Sequence, residues 1–551
     1  MRFRILALLS MLILSIAGSA QRPASAPPDA VFVNGKVITV DSRFSIQQAF
    51  AVRGESFVAV GSTKYMRALA GPATRLIDLR GAAVVPGLTD NHDHVYDSAK
   101  ILLRGLNMDG VGSTADALAR IRDAVAKAKP GDVVFTNVLR TPPGQAAPTI
   151  QDLDQISTEI PIVILRGRRG NALLNTAALA RAGITSGTAT FAGSPVPKNA
   201  GGGLTGTTPR YPAGMVLLDK VIPAMSDQEE EDLLAKALAQ RNALGLTSVR
   251  DLSLFQGGMR AYFRLWKKNR LTVRASLALD VPDAGHLDEA LAGWGVGAGF
   301  GDAWLRLDSI SEDPYPAAPA QQGGAVVDTR QFTAIALTAN KYWWRLAPHI
   351  GDDEGMAGAL DAYEAADRAS SIKYKRWVIE HAPFATPQQM DRMARMGVLV
   401  SASIGGYNAN IPATAAPEDR ARLERQTPMR EFLDHKLVVS GGTDFLGGAA
   451  SIDNPLIPFY FYATRKTRAG QVIGAHEKIT REEALRVMTV NYAYTTFDEK
   501  IKGSIQPGML ADFLVLSGDI LTVPDDQILS LHPLATYVGG RKVYAMEGGG
   551  F

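Results

Sequence analysis

Short apolar runs separated by turn residues occupy both ends of the chain. Near the N-terminus they cover residues 30–33, 36–39, 50–52 and 57–60, with Asn34-Gly35 and Arg53-Gly54 between them. Runs of β-branched and aromatic residues with intervening glycine turns are typical of antiparallel strands. The same pattern returns at residues 511–516, 536–538 and 542–544. We therefore predict one small, discontinuous β-sandwich domain built from residues 30–85 and 501–551.

Between these ends, short apolar strands alternate with longer helical stretches. The strand candidates are residues 161–165, 247–249, 273–277, 304–307, 377–379, 398–400 and 437–440. The clearest helix covers residues 227–244, follows a Ser226 cap, and carries Leu234 and Leu238 at helical spacing. This alternation predicts an α/β fold with a parallel sheet over residues 86–500, either a barrel or a doubly wound sheet.

Residues 1–20 have the layout of a secretory signal peptide. Two arginines precede an apolar run over residues 5–17, and small residues end at Ala20, where we predict cleavage. The run is short for a bilayer span, which favours a signal peptide over a membrane anchor. Residues 21–29, rich in Pro, Ala and Ser, are predicted to be a flexible lead-in. We expect an exported protein, periplasmic or extracellular, without a stable membrane anchor.

Composition narrows the choice of partners and ligands. A chain of 551 residues exceeds the size of a single core, so a large domain with a smaller companion is expected. The formal net charge is +3 and the chain has no long basic block, which gives no reason to expect a nucleic-acid partner. The chain has no cysteine, so histidine and carboxylate side chains are the ligands it can offer a metal ion.

A His-x-His pair, His92 and His94, follows the apolar run at residues 82–85. Side chains in an extended strand repeat every two residues, so both imidazoles are expected on one side. Two imidazoles on one face can share a metal ion, although two of the eight histidines can also fall close together by chance.

Other chemically useful residues follow later predicted strands. In a (β/α) barrel, the residues that carry chemistry lie where strands end. The residues in that position are His349, His381 and Asp444. The remaining histidines, which lack this context and are interpreted as surface or loop residues, are His286, His435, His476 and His532. Four imidazoles and one carboxylate at strand ends predict a metal site far more specifically than one pair does.

These motifs resemble the amidohydrolase superfamily, within it the amidohydrolase 3 or YtcJ-like branch. Residues 86–94 are similar to that family's Pro-Gly-x-x-Asp-x-His-x-His segment. Further similar segments lie at residues 148–154, 242–249, 380–382 and 503–512. The resemblance covers nearly the whole chain after the signal peptide and implies a (β/α)8 TIM-type barrel with inserted loops and a small β-sandwich.

The resemblance also implies roles for the residues at the strand ends. The implied metal ligands are His92, His94, His349, His381 and Asp444. Asp444 would also be the catalytic proton carrier. The implied cofactor is a divalent metal, with zinc favoured for neutral imidazoles and a carboxylate, and manganese, iron or cobalt as alternatives.

Two departures from the family pattern bear on the metal count and the substrate. Members with two metals commonly bridge them with a carboxylated lysine, and Ser311 occupies the expected position. Serine cannot form that carbamate, so either Glu312 or Asp308 substitutes as a carboxylate bridge or both are solvated loop acids. One or two ions stay open, and a hydrolase with a single metal ion is favoured. Arg168 and Arg169 precede Gly170 where relatives usually carry a histidine. The side chains of Arg168 and Arg169 are expected to face either an anionic group of the substrate or the solvent.

The implied reaction is hydrolysis of a carbon–nitrogen bond, other than a peptide bond, in a small molecule. A metal ion with an open coordination position lowers the pKa of its water, and a nearby Asp444 can move the proton. The alternatives are a deaminase of a cyclic amidine on the same metal shell and a degenerate, binding-only relative. The sequence specifies neither the substrate nor whether the protein is a homo-oligomer.

Overall fold

The computed structural model describes residues 26–551 except 140, 142–143, 168–169, 211–212, 255, 281–285, 313–328, 446–453 and 549. The predicted signal peptide and most of the predicted lead-in lie outside the described residues. The last residue of the lead-in is attached to the first sheet, because the N–H of Asp29 donates to the carbonyl of Val52 at 2.9 Å and the carbonyl of Asp29 accepts from the N–H of Arg75 at 3.0 Å. Across the described ranges, no helix is long and apolar enough to cross a membrane.

The first part of the chain forms short strands and one helix. In order they are β1 (Ala30–Val33), β2 (Lys36–Ile38), β3 (Ile46–Gln47), β4 (Ala49–Arg53), β5 (Ser56–Gly61), α1 (Thr63–Leu69), β6 (Arg75–Asp78) and β7 (Ala83–Pro86).

The next strand and helix, β8 (Leu88–Asp93) and α2 (Val95–Leu102), precede an inserted segment. Its elements are α3 (Thr114–Val125), β9 (Val134–Phe135), α4 (Ile150–Asp154), β10 (Ile162–Leu165), β11 (Ala172–Leu174), α5 (Thr176–Arg181), β12 (Thr190–Phe191), β13 (Ser194–Pro195) and α6 (Ala213–Val221). Strands β11, β10 and β9 form a separate sheet with apolar clusters on it. The strand predicted at residues 161–165 therefore belongs to this insertion and not to the main parallel sheet.

Helices and parallel strands alternate through the rest of the chain. They are α7 (Asp227–Ala243), β14 (Leu246–Leu254), α8 (Gln256–Lys267), β15 (Arg274–Leu279), α9 (Leu287–Trp294), β16 (Leu305–Glu312), α10 (Thr329–Lys341), β17 (Leu346–Pro348), α11 (Asp353–Ala369), β18 (Val378–Glu380), α12 (Pro387–Met396), β19 (Leu399–Ala402), α13 (Pro417–Glu424), α14 (Met429–Asp434), β20 (Val439–Gly441), α15 (Leu456–Thr464), α16 (Arg481–Val487) and α17 (Val490–Thr495). The chain ends with β21 (Phe513–Leu516), β22 (Pro533–Val538) and β23 (Arg541–Ala545). The predicted helix over 227–244 is α7, and Ser226 and Glu229 form its capping box.

The main strands form two parallel sheets. One has the order β17-β16-β15-β14-β8 and the other β18-β19-β20. Single parallel bridges, Asp93 with Phe445 and His349 with Glu380, lie between the two sheets. Strands β8 and β15 are buried along their whole length, as expected when helices cover a parallel sheet. The prediction of a mixed α/β fold is confirmed, with a curled parallel sheet at its centre.

Strands from the two chain ends pack together through an aromatic cluster. Their sheets have the orders β5-β4-β1-β6 and β23-β22-β21-β7-β2-β3. The ring centroids of Phe32 and Phe50 lie 4.7 Å apart, and those of Phe513 and Tyr537 lie 4.4 Å apart. The Phe32 and Phe513 centroids, one from each sheet, are separated by 5.0 Å. These contacts join the distant ends of the chain into one apolar core.

Gly87 connects the sheet of the chain ends to the main parallel sheet. Gly87 lies between β7 and β8, and its N–H donates to the carbonyl of Asp512 at 2.9 Å. A Cβ atom at this position would lie 2.0 Å from Thr247 Oγ1 and 2.5 Å from Thr247 Cγ2. Only glycine allows β8, which carries His92, to pass so close to β14.

Replacing Gly87 by alanine is therefore expected to lower the free energy of unfolding by about 1–3 kcal/mol, the usual effect of overpacking. Thermal unfolding measures the change, and Thr247→Ala in the same chain should restore part of the loss. Gly293→Ala is the matched control, because no atom lies within 4 Å of the added methyl group. A Gly87→Ala protein as stable as the wild type would contradict this explanation.

Candidate metal centre

The candidate ligands lie where the parallel strands end. His92 is the second-last residue of β8, and His94 directly follows that strand. Glu312 is the last residue of β16. His349 and His381 directly follow β17 and β18. Carboxyl ends of parallel strands meet at one edge of a sheet, so residues far apart in sequence converge there.

The Glu312 carboxylate lies among all four predicted histidines. Its Oε1 is 3.1 Å from His92 Nε2, 3.2 Å from His349 Nδ1 and 3.6 Å from His381 Nε2. Its Oε2 is 3.5 Å from His94 Nε2. The side chain is buried. Glu312 is therefore the central anion of the site, a position that the sequence assigned to it only as one of two alternatives.

Asp444 reaches the same centre from the loop after β20. Its Oδ1 is 3.5 Å from His92 Nε2 and 3.6 Å from His94 Nε2. Its backbone N–H donates to the carbonyl of His92 at 2.7 Å, which ties this loop to β8. The Asp444 side chain is 24% exposed, whereas those of His92 and His94 are fully buried. Asp444 thus lies on the more solvent-exposed side of the histidine pair.

The donor atoms form two overlapping groups, each compact enough for one ion. The first contains His92, Glu312 and His381, and the second contains His92, His94 and Asp444. His92 belongs to both. Imidazole nitrogens and carboxylate oxygens are the donors that zinc and related divalent ions prefer.

The charges of the centre also fit a bound cation. Burial opposes ionisation of Glu312, but His92 and His94 hold the pKa of its carboxyl group well below the usual value. Burial also opposes protonation of His92, but the carboxylates of Asp444, Glu312 and Glu380 raise its pKa well above the usual value. Within the described chain, the buried His92 Nε2 makes no hydrogen bond of acceptable geometry. A bound metal ion would compensate the charges of the Glu312 and Asp444 carboxylates and would leave the imidazoles unprotonated.

The far ring nitrogens of three histidines have partners that fix their orientation. His92 Nδ1 lies 2.7 Å from Glu380 Oε2, and His381 Nδ1 lies 2.8 Å from Ser403 Oγ. His94 Nδ1 lies 3.2 Å from the carbonyl oxygen of Leu252. Such contacts select the tautomer that leaves Nε2 available for a metal. His349 differs, because its Nδ1 faces Glu312.

The backbone is strained at three of these positions. Glu312, His381 and Asp444 have φ angles of 42°, 64° and 51°. Non-glycine residues with positive φ are held there only by their surroundings, and they concentrate at functional sites. At Glu312 this turn also ends the extended strand, so simple alternation from Ser311 does not describe where its carboxylate points.

The structure separates the residues considered as a bridge. Ser311 is buried in β16 and pairs in register with Ala347. Asp308 accepts hydrogen bonds from Arg250 and Arg345, so it belongs to an ion-pair network beside the centre. Of the two acids proposed as substitutes for a lysine, Glu312 lies at the centre. Arg168 and Arg169 lie outside the described residues, and Gly170 packs against the backbone of Gly214.

The remaining histidines lie away from this centre. His286, His476 and His532 are exposed, and His435 contacts Asp391 at 2.9 Å. Their interpretation as surface or loop residues agrees with this placement. A separate group of possible ligands, Glu431, His476 and Glu477, includes the exposed His476.

Sequence reasoning missed several residues that support the ligands. Asp90 accepts from the backbone N–H groups of His92 and Thr443, each at 3.0 Å, and from Thr443 Oγ1 at 2.6 Å. Burial, together with the charge of Asp93, raises the pKa of Asp90 to about 7. Glu380 and Arg250 were also missed. The available signal was a charged residue within an otherwise apolar strand, as at Glu380 after Trp377-Val378-Ile379.

The histidine and carboxylate groups at this centre are ligands of the kind that divalent metal ions bind in enzymes. Residues 75–544 match the sequence model of the Amidohydrolase family, so the chain belongs to that family. The predicted family and the predicted amidohydrolase-type enzyme class are confirmed.

Similar proteins cover almost the whole chain. It is 26% identical over 564 residues to Protein LONG AFTER FAR-RED 3 of Arabidopsis thaliana, covering 98% of this chain and 95% of that protein. It is 26% identical over 559 residues to N-substituted formamide deformylase of Arthrobacter pascens, covering 94% and 99%. The crystal structure of an uncharacterized metal-dependent hydrolase from Pyrococcus furiosus matches with a TM-score of 0.66 at 21% identity, covering 90% and 100%. That structural likeness shows a shared fold.

Gly442 makes room for His92, which gives a test of the local geometry. A Cβ atom on Gly442 would lie 2.5 Å from the backbone nitrogen of His92 and 2.6 Å from its Cβ. We expect Gly442→Ala to displace β8 and reduce both the unfolding temperature and the metal bound after loading with zinc. Gly405→Ala is the control, since its nearest neighbour is the flexible end of Gln426 at 3.2 Å. Equal metal content in the two variants would contradict the expectation.

Proposed function

We propose that this protein hydrolyses a non-peptide carbon–nitrogen bond, of amide or N-acyl type, in a small molecule, with Asp444 as the proton carrier. The observation that carries the proposal is the buried Glu312 carboxylate within 3.6 Å of ring nitrogens from His92, His94, His349 and His381. The similarity to an N-substituted formamide deformylase supports a carbon–nitrogen bond as the target.

The proposal includes a closed eight-stranded barrel around this centre and a β-sandwich formed by the chain ends. The bridges between Asp93 and Phe445 and between His349 and Glu380 support closure at both gaps of the parallel sheets. The aromatic contact between Phe32 and Phe513 supports face-to-face packing of the two end sheets.

We assign the centre to two divalent ions, most simply zinc. Because His92 Nε2 can bind only one ion, His92 with His94 and Asp444 would hold the first ion, and Glu312 with His381 would hold the second. Glu312 Oε2 lies 3.5 Å from His94 Nε2, so this carboxylate would also contribute charge to the first group. His349 extends the group around Glu312, and Asp444 completes the group around His94. A divalent ion bound here would supply Lewis acidity towards a carbonyl oxygen and a water of lowered pKa.

Asp444 is the side chain best placed to move protons. His92, His94 and His381 hold the pKa of its carboxyl group below the usual value against the opposing effect of burial, so it is anionic at neutral pH. As a base it takes a proton from the attacking water, and as an acid it returns that proton to the leaving nitrogen. Its partial exposure lets it contact both reactants, while the buried histidines and Glu312 stay fixed.

The metal assignment predicts the effect of Glu312→Gln. Wild-type protein loaded with zinc and dialysed should hold two ions per chain by elemental analysis. The variant should hold at most one, because the amide keeps the shape of the side chain but not the charge that serves both groups.

Glu431→Gln is the matched control for that measurement. Glu431 belongs to the separate group with His476 and Glu477, so this variant should keep the wild-type zinc content. Loss of zinc from Glu431→Gln, or full retention in Glu312→Gln, would place the ions elsewhere.

The proton-carrier assignment predicts that Asp444→Asn lowers kcat by at least about 100-fold, the usual contribution of a general acid–base. Release of amine from a panel of N-formyl and N-acetyl amines measures this rate at matched metal content. Asp391→Asn, which changes an exposed aspartate that contacts His435, should keep wild-type activity.

The same panel separates the other readings of this site. Ammonia released from cyclic amidines, without amine release from the acyl compounds, would indicate a deaminase. A zinc-loaded protein that acts on neither class would indicate a binding-only relative. Undiminished turnover by Asp444→Asn would remove Asp444 from the mechanism.

A further inference from the structure

His92 holds a special position, because it belongs to both groups of candidate ligands. A small rotation of its ring would therefore disturb the whole centre. Its orientation depends on Glu380, whose Oε2 lies 2.7 Å from His92 Nδ1. His94 and His381 face neutral partners at the same ring position, a carbonyl oxygen and a serine hydroxyl. The Nδ1 atom of His92 thus contacts an anion, whereas the Nδ1 atoms of His94 and His381 contact neutral polar groups.

Glu380 is itself fixed by Arg250, a fully buried arginine on β14. Arg250 Nη1 donates to Glu380 Oε1, and Arg250 Nε donates to Asp308 Oδ2. The third arm, Nη2, donates to Ser309 Oγ at 2.9 Å. A planar guanidinium presents its donors in fixed directions, so satisfying all three partners leaves the Glu380 carboxylate one position.

The network continues away from the centre to Arg345. Arg345 donates to the Asp308 carboxylate, and it also donates to the carbonyls of Asp308 at 3.0 Å and Thr495 at 2.7 Å. Arginine and carboxylate therefore alternate through Arg345, Asp308, Arg250 and Glu380. All four side chains are buried, and their formal charges cancel. This balance lets an anion contact His92 without adding net charge to the metal centre.

We propose that Arg250 is a positioning residue for the metal centre. It fixes the carboxylate of Glu380 against His92 Nδ1, and it thereby directs His92 Nε2 towards Glu312 and Asp444. This inference rests on the proposed function, since it assumes that the centre binds a divalent ion. Partners behind a metal-bound histidine set both its direction and its basicity, and their loss typically weakens metal binding by about 10–100-fold.

Arg250→Lys tests the proposal while keeping the positive charge. A single ammonium group cannot reach Glu380, Asp308 and Ser309 together. We expect zinc affinity, measured by competition with a chromogenic chelator, to fall at least about 10-fold. We expect kcat to fall at saturating zinc with little change in KM, since Arg250 lies behind His92 and its side chain is fully buried.

Arg274→Lys is the matched control. Arg274 is equally buried and forms a comparable fork with Asp512, with Nε–Oδ2 at 2.7 Å and Nη2–Oδ1 at 3.0 Å, but at the start of β15 and away from the ligands. It should lower the unfolding temperature and leave zinc affinity unchanged. Loss of stability in both variants with wild-type zinc affinity in both would show that Arg250 is merely structural, and would overturn the inference.

Glu380→Gln gives a second test if Arg250→Lys does not fold. The amide keeps the size of the Glu380 side chain and a hydrogen bond to Arg250, but it removes the negative charge beside His92 Nδ1. Zinc affinity should again fall at least about 10-fold, and an unchanged affinity would overturn the inference. A wild-type protein that binds no zinc would instead overturn the proposed function, and with it the premise of this inference. The two failures are therefore distinguishable.

Discussion

The structure depends on the balance of charge around one buried carboxylate. Glu312 is anionic and lies beside four imidazoles, with Asp444 on the solvent side of the same site. A carboxylate without compensation in such an environment is costly, so the centre requires positive charge. A protonated His92 or a metal ion can supply it, but an ion also uses the imidazole nitrogens as donors. Three residues of this centre, Glu312, His381 and Asp444, also have positive φ angles, which non-glycine residues adopt only when their surroundings hold them there.

The rest of the fold holds these groups in place. The aromatic core of the end sheets fixes β7, and Gly87 passes directly from that sheet into β8. The carboxylate of Asp90 and the N–H of Asp444 then tie β8 to the loop after β20. Both β7 and the loop after β20 are thus attached to β8, the strand that carries His92 and leads into His94. The described residues of the chain ends support the centre through packing against β7 and contribute none of its candidate ligands.

The charged side chains in the network behind His92 also neutralise one another. Glu380 contacts His92 as an anion, and Arg250 and Asp308 continue the alternation of charge away from the centre. Buried ion pairs of this kind contribute little net stability compared with apolar packing, but removal of one member leaves an unpaired charge. Their value here is geometric, because an arginine fork with several acceptors has few alternative arrangements.

The sequence by itself determined the features that depend on local pattern. Alternating apolar runs predicted the strands, leucine spacing and the Ser226 cap predicted α7, and residues after strands predicted His349, His381 and Asp444 as partners of the His-x-His pair. The tertiary structure decided what depends on contacts between distant segments. It placed Glu312 at the centre and Asp308 in an ion-pair network, and it gave Glu380 and Arg250 their roles. The physical reason is that a carboxylate in a strand looks the same in sequence whether it faces a cation, a guanidinium or a histidine. Only the register of neighbouring strands and the turn at Glu312, with φ of 42°, select its partner.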